Sequence, residues 1–183
     1  MKVICVTGTP AAGKTAIAKK LALRYNLYYL DANRIVNQCK LSSGYDRKRK
    51  AKIVDTNRLG RKLIGIIGFF KKCGHIGNAL MPKAGSAVKL KNNAIKKKYR
   101  GIVIDSHLSH YLPEKYVNLV VVAKCGIKKL CKRLEKRKYS QAKIRENIQA
   151  EIFDICRNEA LERGHNIIVL DTTKGFDIID VKI

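Results

Sequence analysis

The sequence predicts a three-layer α/β protein in which helices pack on both faces of a parallel five-stranded sheet. Three observations predict this fold. Short apolar runs alternate along the chain with segments whose apolar residues recur at helical spacing. The first run leads directly into a glycine-rich turn, and a helical segment follows that turn. Residues 117–123 form the most continuous apolar run of the chain, as expected of a parallel strand that is buried on both faces.

The first third of the chain contains two predicted strands. Residues 3–6 form the first, and a helix with an apolar stripe follows from Lys14 to about Tyr25. Residues 27–30 form the second strand, and the Asp31 side chain can cap the helix behind it. The polar and basic stretch 37–55 lacks periodicity, so we expect an irregular surface excursion there.

The middle of the chain is the least regular part. Residues 56–70 are predicted to be helical, although Gly60, Gly65 and Gly68 weaken that prediction. Residues 73–86 contain glycines and a proline and predict a loop. Residues 89–100 carry six basic side chains and no acid, which indicates either a solvated face or a contact with RNA or phosphate.

The last third returns to alternating strands and helices. Residues 101–105 form a strand that ends in a carboxylate, and residues 127–137 form a helix. A single helix is predicted from about 141 to about 163, and residues 167–170 form the last strand. The apolar stripe of that long helix consists of Ile144, Ile148, Ile152 and Ile155.

The composition is that of a basic globular protein. A length of 183 residues suits one domain with a sizeable core. The 39 Lys and Arg residues against 14 Asp and Glu residues give a formal net charge of +25, which favours a polyanion such as nucleic acid as partner. A lysine-rich source proteome or a thermophile surface is the alternative explanation.

The cysteines and the N-terminus indicate a cytoplasmic protein without a membrane partner. None of the six cysteines forms a C-x-x-C pair, so we expect free thiols in a reducing compartment. The chain begins with the first strand rather than with a signal peptide. No apolar run approaches the about 20 residues that a membrane span needs.

Residues 8–15 read G-T-P-A-A-G-K-T and fit the phosphate-binding pattern G-x-x-x-x-G-K-[ST] between a strand and a helix. Glycines at these positions let backbone N–H groups approach phosphate oxygens, and the helix N-terminus faces the same anion. Lys14 supplies a point charge for the outer phosphates, and the Thr15 hydroxyl is a ligand for Mg²⁺. The alternative is a glycine turn that binds nothing. The complete pattern predicts that the protein binds a nucleoside triphosphate.

Two polar residues follow the strand at 101–105. Asp105 comes after three β-branched residues, where a carboxylate can hold Mg²⁺ directly or through water. His107 lies two residues further and would point to the same side, where an imidazole could orient a water molecule or relay a proton. The alternative for His107 is a hydrogen bond to the loop backbone.

Three segments together resemble the adenylate kinase isoenzyme six family, whose animal members are also called coilin-interacting nuclear ATPases. They are residues 8–15, the segment Val103-Ile104-Asp105-Ser106-His107 with Leu112-Pro113, and residues 137–153. The third is the most specific, because Arg137-Lys138-Tyr139 and the helix 146–153 resemble the short lid of the family and the helix behind it. Gly44-Tyr45-Asp46 with Val54-Asp55 resembles its monophosphate side.

The resemblance implies a nucleoside monophosphate kinase fold that uses ATP with Mg²⁺, with kinase and ATPase activities. It implies AMP or another nucleoside monophosphate as phosphate acceptor, and the eleventh small-subunit ribosomal protein and the rRNA of the small subunit as partners during ribosome maturation. By position, Asp105 and His107 form the Asp-x-His motif linked to Mg²⁺ and water, and Arg137 is the lid arginine that contacts ATP. The residues implied to bind the triphosphate are Gly8, Ala11, Gly13, Lys14, Thr15 and Ala16.

Within a single domain of residues 1–183, the resemblance implies a monophosphate-binding region at about 31–54 and a lid at about 136–146. The stretch at about 64–99 is an insertion that is longer than the family connection. Ala11 stands where the family has glycine, and Ala16 where it has a second hydroxyl residue. Basic residues follow Gly44-Tyr45 where the family has acids.

Three functions remain open from the sequence. The first is a nucleoside monophosphate kinase, the second is an ATPase assembly factor that releases a ribosomal protein or an rRNA element, and the third is an RNA-binding protein with a vestigial nucleotide site. A strong kinase closes a broad lid over its phosphates to exclude water. The predicted lid is short, which favours a slow kinase that also hydrolyses ATP.

Overall fold

The computed structural model of the protein describes residues 1–47, 51–73, 98–179 and 181–182. These residues form strands and α-helices that alternate along most of the chain. In chain order they are β1 (Lys2–Gly8), α1 (Lys14–Tyr25), β2 (Leu27–Asp31), α2 (Ala32–Gln38), β3 (Ser42–Asp46), β4 (Ala51–Val54), α3 (Thr56–Cys73), β5 (Gly101–Asp105), β6 (Leu119–Lys124), α4 (Ile127–Lys136), α5 (Gln141–Ile152), α6 (Ile155–Glu162) and β7 (Ile167–Asp171). Two short 3₁₀ helices, Ser109–Tyr111 and Glu114–Tyr116, lie between β5 and β6.

The main sheet contains five parallel strands in the order β2-β5-β1-β6-β7, which confirms the predicted fold class. β1 is central and pairs with β5 on one side and with β6 on the other. Val6 is level with Asp105 in this register, and Gly8 is level with Ala123. Because parallel strands end at the same edge of the sheet, the turn after β1 and the carboxylate at the end of β5 share one rim.

Helices cover both faces of this sheet. Alternate residues of β1 point to opposite faces, so Val3 and Cys5 join one apolar cluster and Ile4 and Val6 join the other. The first cluster includes Ile35, Leu63 and Phe70 from α2 and α3. The second includes Ile17, Leu21, Leu130 and Leu134 from α1 and α4, together with Ile178 and Val181 near the C-terminus. The rigid double-faced core holds the strand ends in place.

The prediction of one helix from about 141 to about 163 is wrong. α5 ends at Ile152 and α6 begins at Ile155, because Asp154 takes a left-handed conformation with φ of 52°. Ile152 at the end of α5 is 58% exposed and Ile155 at the start of α6 is 41% exposed, although Ile144 is buried. The Asp154 carboxylate is paired with the Lys124 ammonium at the end of β6.

The stretch at 37–55 contains regular structure that its sequence did not predict. β3 and β4 pair as an antiparallel hairpin, and the register shifts between Ser42 and Gly44. Most residues of β3 are exposed. Its sequence therefore lacks the alternation of apolar and polar residues that is typical of a half-buried strand.

α3 extends to Cys73 and therefore takes up the first residues of the stretch at 64–99. The rest of the predicted insertion and most of the basic run at 89–100 lie outside the described residues. Within the described residues, no helix combines the length and the apolar character that crossing a membrane requires.

Candidate functional site

The loop between β1 and α1 has the backbone geometry of a tight anion-binding turn. Gly8 has φ of 133° and Gly13 has φ of 106°, values that favour glycine. A Cβ on Gly8 would lie 2.3 Å from the Ala123 carbonyl oxygen, so the close pairing of β1 with β6 requires glycine there. Ala11 also has a positive φ, 68°, at the position where the resembled family has glycine. Ala16 is exposed in the first turn of α1.

Lys14 lies folded over this loop. Its ammonium donates to the carbonyl oxygens of Gly8 and Thr9, each at 2.9 Å. Desolvation lowers the pKa of Lys14 from 10.5 to about 8, against the attraction of the Asp105 carboxylate. The free protein stabilises the charged form of Lys14 only weakly, so a bound anion can stabilise that charged form further.

A cluster of oxygen atoms lies where the C-terminal end of β5 meets the N-terminal end of α1. The Thr15 hydroxyl donates to Asp105 Oδ2 at 2.7 Å, across 90 residues of sequence. The Tyr29 hydroxyl donates to the same carboxylate oxygen at 2.9 Å, and burial together with this contact raises the pKa of Tyr29. Mg²⁺ prefers hard oxygen ligands, so the predicted pair Thr15 and Asp105 fits this ion. Tyr29 was missed from the sequence because an aromatic residue in a predicted strand is typical of a core.

His107 lies close enough to the phosphate loop for the charge of Lys14 to lower its pKa. Its side chain is solvent-accessible, but the surrounding protein still desolvates the imidazole. This desolvation, with the charge of Lys14 and Lys143, lowers the pKa of His107 from 6.5 to about 4. The ring is therefore neutral at pH 7 and can accept a proton or a hydrogen bond.

The arginines at the end of α4 occupy different environments. Arg137 is exposed just after the helix, close enough to Lys14 for its charge to lower the pKa of Lys14. Arg133, one helical turn earlier, donates to the Ala11 carbonyl oxygen at 3.2 Å and to the Thr172 hydroxyl at 3.0 Å. The Thr172 hydroxyl in turn donates to the Ala12 carbonyl oxygen at 2.6 Å. Arg133 and Thr172 thus connect the phosphate loop to α4 and to the segment that follows β7. No sequence motif predicted this role.

A cavity of about 540 Å³ is lined in part by His107. Its polar lining comes from Asn33, Asn37, Lys52, Thr56, His107 and Lys143. The first three of these lie in the stretch 31–54 that the sequence predicts as the monophosphate-binding region. Lys143, which was not singled out from the sequence, stands in the first turn of α5 with its ammonium 4.3 Å from the centre of the Tyr139 ring. The cavity brings cations and amides together next to the candidate phosphate site.

Comparison with known proteins relates this arrangement to nucleotide kinases. Residues 4–154 match the sequence profile of a family described as "AAA domain". A "Putative adenylate kinase" of Methanosarcina mazei is 33% identical over 170 residues, covering 93% of this chain and 78% of the relative. An "Adenylate kinase isoenzyme 6 homolog" of Caenorhabditis elegans is 28% identical over 166 residues, covering 91% of this chain and 76% of the relative.

Among solved structures, a sugar kinase from Janibacter sp. superimposes with a TM-score of 0.53 at 19% identity, covering 93% of this chain and 85% of that chain. At this identity the likeness concerns the fold alone. It agrees with the parallel sheet and the phosphate loop described above.

Proposed function

The chain belongs to the AAA-domain family that includes adenylate kinases and adenylate kinase isoenzyme 6 homologues, and on that premise we propose that it transfers the γ-phosphoryl group of ATP to AMP. One observation carries the proposal. His107 borders both the phosphate loop, where its pKa responds to Lys14, and the cavity of about 540 Å³. Donor and acceptor sites that share a residue allow direct transfer between two bound nucleotides.

The donor side of this site consists of the phosphate loop and its neighbours. Phosphoryl transfer needs little covalent chemistry from a protein, so catalysis consists of positioning and of stabilising the charge on the phosphoryl oxygens. Lys14 neutralises the outer phosphates, and Thr15 with Asp105 would hold Mg²⁺, which neutralises further charge when it is bound. Arg137, exposed just after α4, would contact the nucleotide from the lid.

The acceptor side is the cavity itself. Its volume of about 540 Å³ lies within the range of about 300–1,000 Å³ that is typical of small-ligand pockets. Lys52 and Lys143 supply positive charge for a monophosphate, and Asn33 and Asn37 supply donors and acceptors for a base or ribose. Lys52 is held by a hydrogen bond of 2.7 Å to the Asn37 side chain.

The test is ADP formation from ATP in the presence and absence of AMP. We expect AMP to stimulate ADP formation, and Lys52→Met to raise the KM for AMP by about tenfold, as expected for the loss of one charge-assisted contact of roughly 1.4 kcal/mol. Lys72→Gln, which removes a charge from the last turn of α3, is the matched control and leaves the KM unchanged. ADP formation that does not respond to any nucleoside monophosphate would contradict the kinase assignment.

ATP hydrolysis is a second proposed activity, favoured by the openness of the cleft. Only residues 137–140 separate α4 from α5, so the predicted lid is short, and the His107 side chain is accessible to solvent. Water that reaches a bound γ-phosphate can replace the acceptor nucleotide as nucleophile. Release of inorganic phosphate from ATP without AMP measures this activity, and an undetectable rate next to active transfer would reject it.

We further propose that the basic surface binds the rRNA of the small ribosomal subunit, with the eleventh small-subunit ribosomal protein as a protein partner. Support comes from the net charge of +25 and from α4, where exposed Lys128, Lys132 and Lys136 follow each other at helical spacing. Exchanging these three lysines for Gln should weaken rRNA binding. It should also flatten the salt dependence by about 0.7 in log–log slope for each lost phosphate contact. Identical salt titrations of the two proteins would reject this surface.

A further inference from the structure

A chain of polar side chains leads from the half-buried Glu159 to the buried His110 and Thr7 next to the candidate site. It begins at Glu159 in α6, whose Oε2 lies 2.8 Å from His110 Nε2. The other ring nitrogen, His110 Nδ1, lies 2.7 Å from the hydroxyl oxygen of Thr7, the residue before Gly8 in the phosphate loop. The same hydroxyl lies 3.3 Å from the backbone carbonyl oxygen of His107. The chain therefore connects α6 with β1 and with the candidate catalytic histidine.

The hydrogen-bond partners determine the protonation of His110. An ionised Glu159 carboxylate can only accept, so His110 Nε2 carries the proton of that contact. Burial lowers the pKa of His110, against the raising effect of Glu159, and the ring is neutral at pH 7. Nδ1 is then an acceptor, and the Thr7 hydroxyl donates to it. The orientation of the Thr7 hydroxyl is thereby set by His110.

Both ring nitrogens and the backbone carbonyl oxygen of His110 have polar partners. The second Glu159 oxygen, Oε1, accepts from the Tyr111 hydroxyl at 3.0 Å, which fixes the carboxylate that faces His110. The backbone carbonyl oxygen of His110 lies 2.9 Å from His165 Nε2. The His110 side chain is 1% exposed, and a buried polar network gains little stability over an apolar core of the same shape. The network therefore differs from an apolar core in the fixed geometry of its hydrogen bonds rather than in the stability that it contributes.

We propose that His110, clamped between Glu159 and Thr7, is a positioning residue that fixes His107 relative to the phosphate loop. The contact runs through the single proton of the Thr7 hydroxyl. It points to His110 Nδ1 at 2.7 Å and, as the longer branch of a three-centre hydrogen bond, to the His107 carbonyl oxygen at 3.3 Å. A shift of the His110 ring moves this hydroxyl and with it the backbone that carries the His107 imidazole. The proposal rests on the proposed function, in which His107 lies beside the transferred phosphoryl group.

The experiment compares two matched pairs of variants. Thr7→Val keeps the shape of the side chain without the hydroxyl, and Thr7→Ser restores the hydroxyl. His110→Gln keeps a polar group near the Nε2 position facing Glu159, whereas His110→Asn keeps one near the Nδ1 position facing Thr7. Thermal unfolding of all four variants confirms that each is folded at the assay temperature.

We expect Thr7→Val and His110→Gln to lower kcat by about tenfold, a typical effect of a small misplacement of a reacting group, with the KM for ATP within about twofold of the wild type. Thr7→Ser and His110→Asn retain most of the wild-type kcat. The ring signals of His107 in proton NMR, assigned by their loss in His107→Ala, shift in the first two variants and not in the last two.

Two results would overturn the proposal. One is an equal loss of kcat in all four variants, which marks a purely structural network. The other is a set of His107 signals that Thr7→Val and His110→Gln leave in place. If no protein, wild type included, transfers phosphoryl groups, the proposed function fails, and the His107 signals still decide whether His110 positions His107.

Discussion

The lowered pKa of Lys14 in the free protein predicts that ATP binding takes up protons. Desolvation lowers its pKa from 10.5 to about 8, with Asp105 opposing the shift. A bound triphosphate places negative charge beside the ammonium and raises the pKa again. With a free pKa of about 8, binding takes up about one-tenth of a proton at pH 7, about half at pH 8 and about nine-tenths at pH 9.

The sign of the effect on affinity follows from the protons bound. Because the complex holds more protons than the free protein above pH 7, affinity falls as the pH rises through 8. A free pKa of about 8 gives a Kd that is about tenfold higher at pH 9 than at pH 7, or about 1.4 kcal/mol.

Calorimetry of ATP binding with excess Mg²⁺, in two buffers of different ionisation enthalpy at each pH, measures the uptake directly. Neighbouring groups do not interfere, since the pKa of His107 is about 4 and that of Tyr29 is raised above its usual value. The last phosphate proton, with a pKa of about 6, is already lost. Lys14→Arg keeps the charge without titrating and should show no uptake. Equal uptake in both proteins, or a Kd that stays constant from pH 7 to pH 9, would refute the reasoning.

Three further predictions test the site and the fold. His107→Ala should slow single-turnover transfer by about a hundredfold and leave ATP affinity within about twofold, whereas equal losses in both would make His107 structural. Asp105→Asn should raise the Mg²⁺ concentration for half-maximal activity, and an unchanged metal titration would remove this carboxylate from the metal site. Gly8→Ala places a Cβ 2.3 Å from the Ala123 carbonyl oxygen and should cost about 3 kcal/mol or more in urea unfolding. Gly65→Ala in α3, with open space around its Cα, should instead stabilise by up to about 1 kcal/mol, and similar effects of both changes would contradict this reasoning.

The sequence alone determined the features that depend on residues close together along the chain. The phosphate loop was predictable because its glycines, Lys14 and Thr15 stand at fixed spacing between an apolar strand and a helix. The strands of the sheet were predictable because buried parallel strands are short, continuous apolar runs. The Asp31 cap of α2 was also correct, since its carboxylate accepts from the Asn33 amide at 2.9 Å, only two residues away.

The sequence prediction failed where a local pattern competed with packing. Isoleucines 144 to 155 keep helical spacing, but the left-handed Asp154 interrupts the helix and places its carboxylate beside Lys124. The hairpin β3–β4 was missed because its exposed side chains lack the alternation of a half-buried strand.

Only the tertiary structure decided which distant residues meet at the site. Tyr29 reaches Asp105 across 76 residues, and Arg133 reaches Ala11 across 122. Thr7 lies 103 residues from His110, and its hydroxyl oxygen is still only 2.7 Å from His110 Nδ1. None of these pairs has a spacing that sequence could reveal, because the order of strands in the sheet and the packing of α4 and α6 set their distances. The pattern of apolar residues along the chain indicates which residues are buried, and the tertiary fold determines which of them are in contact.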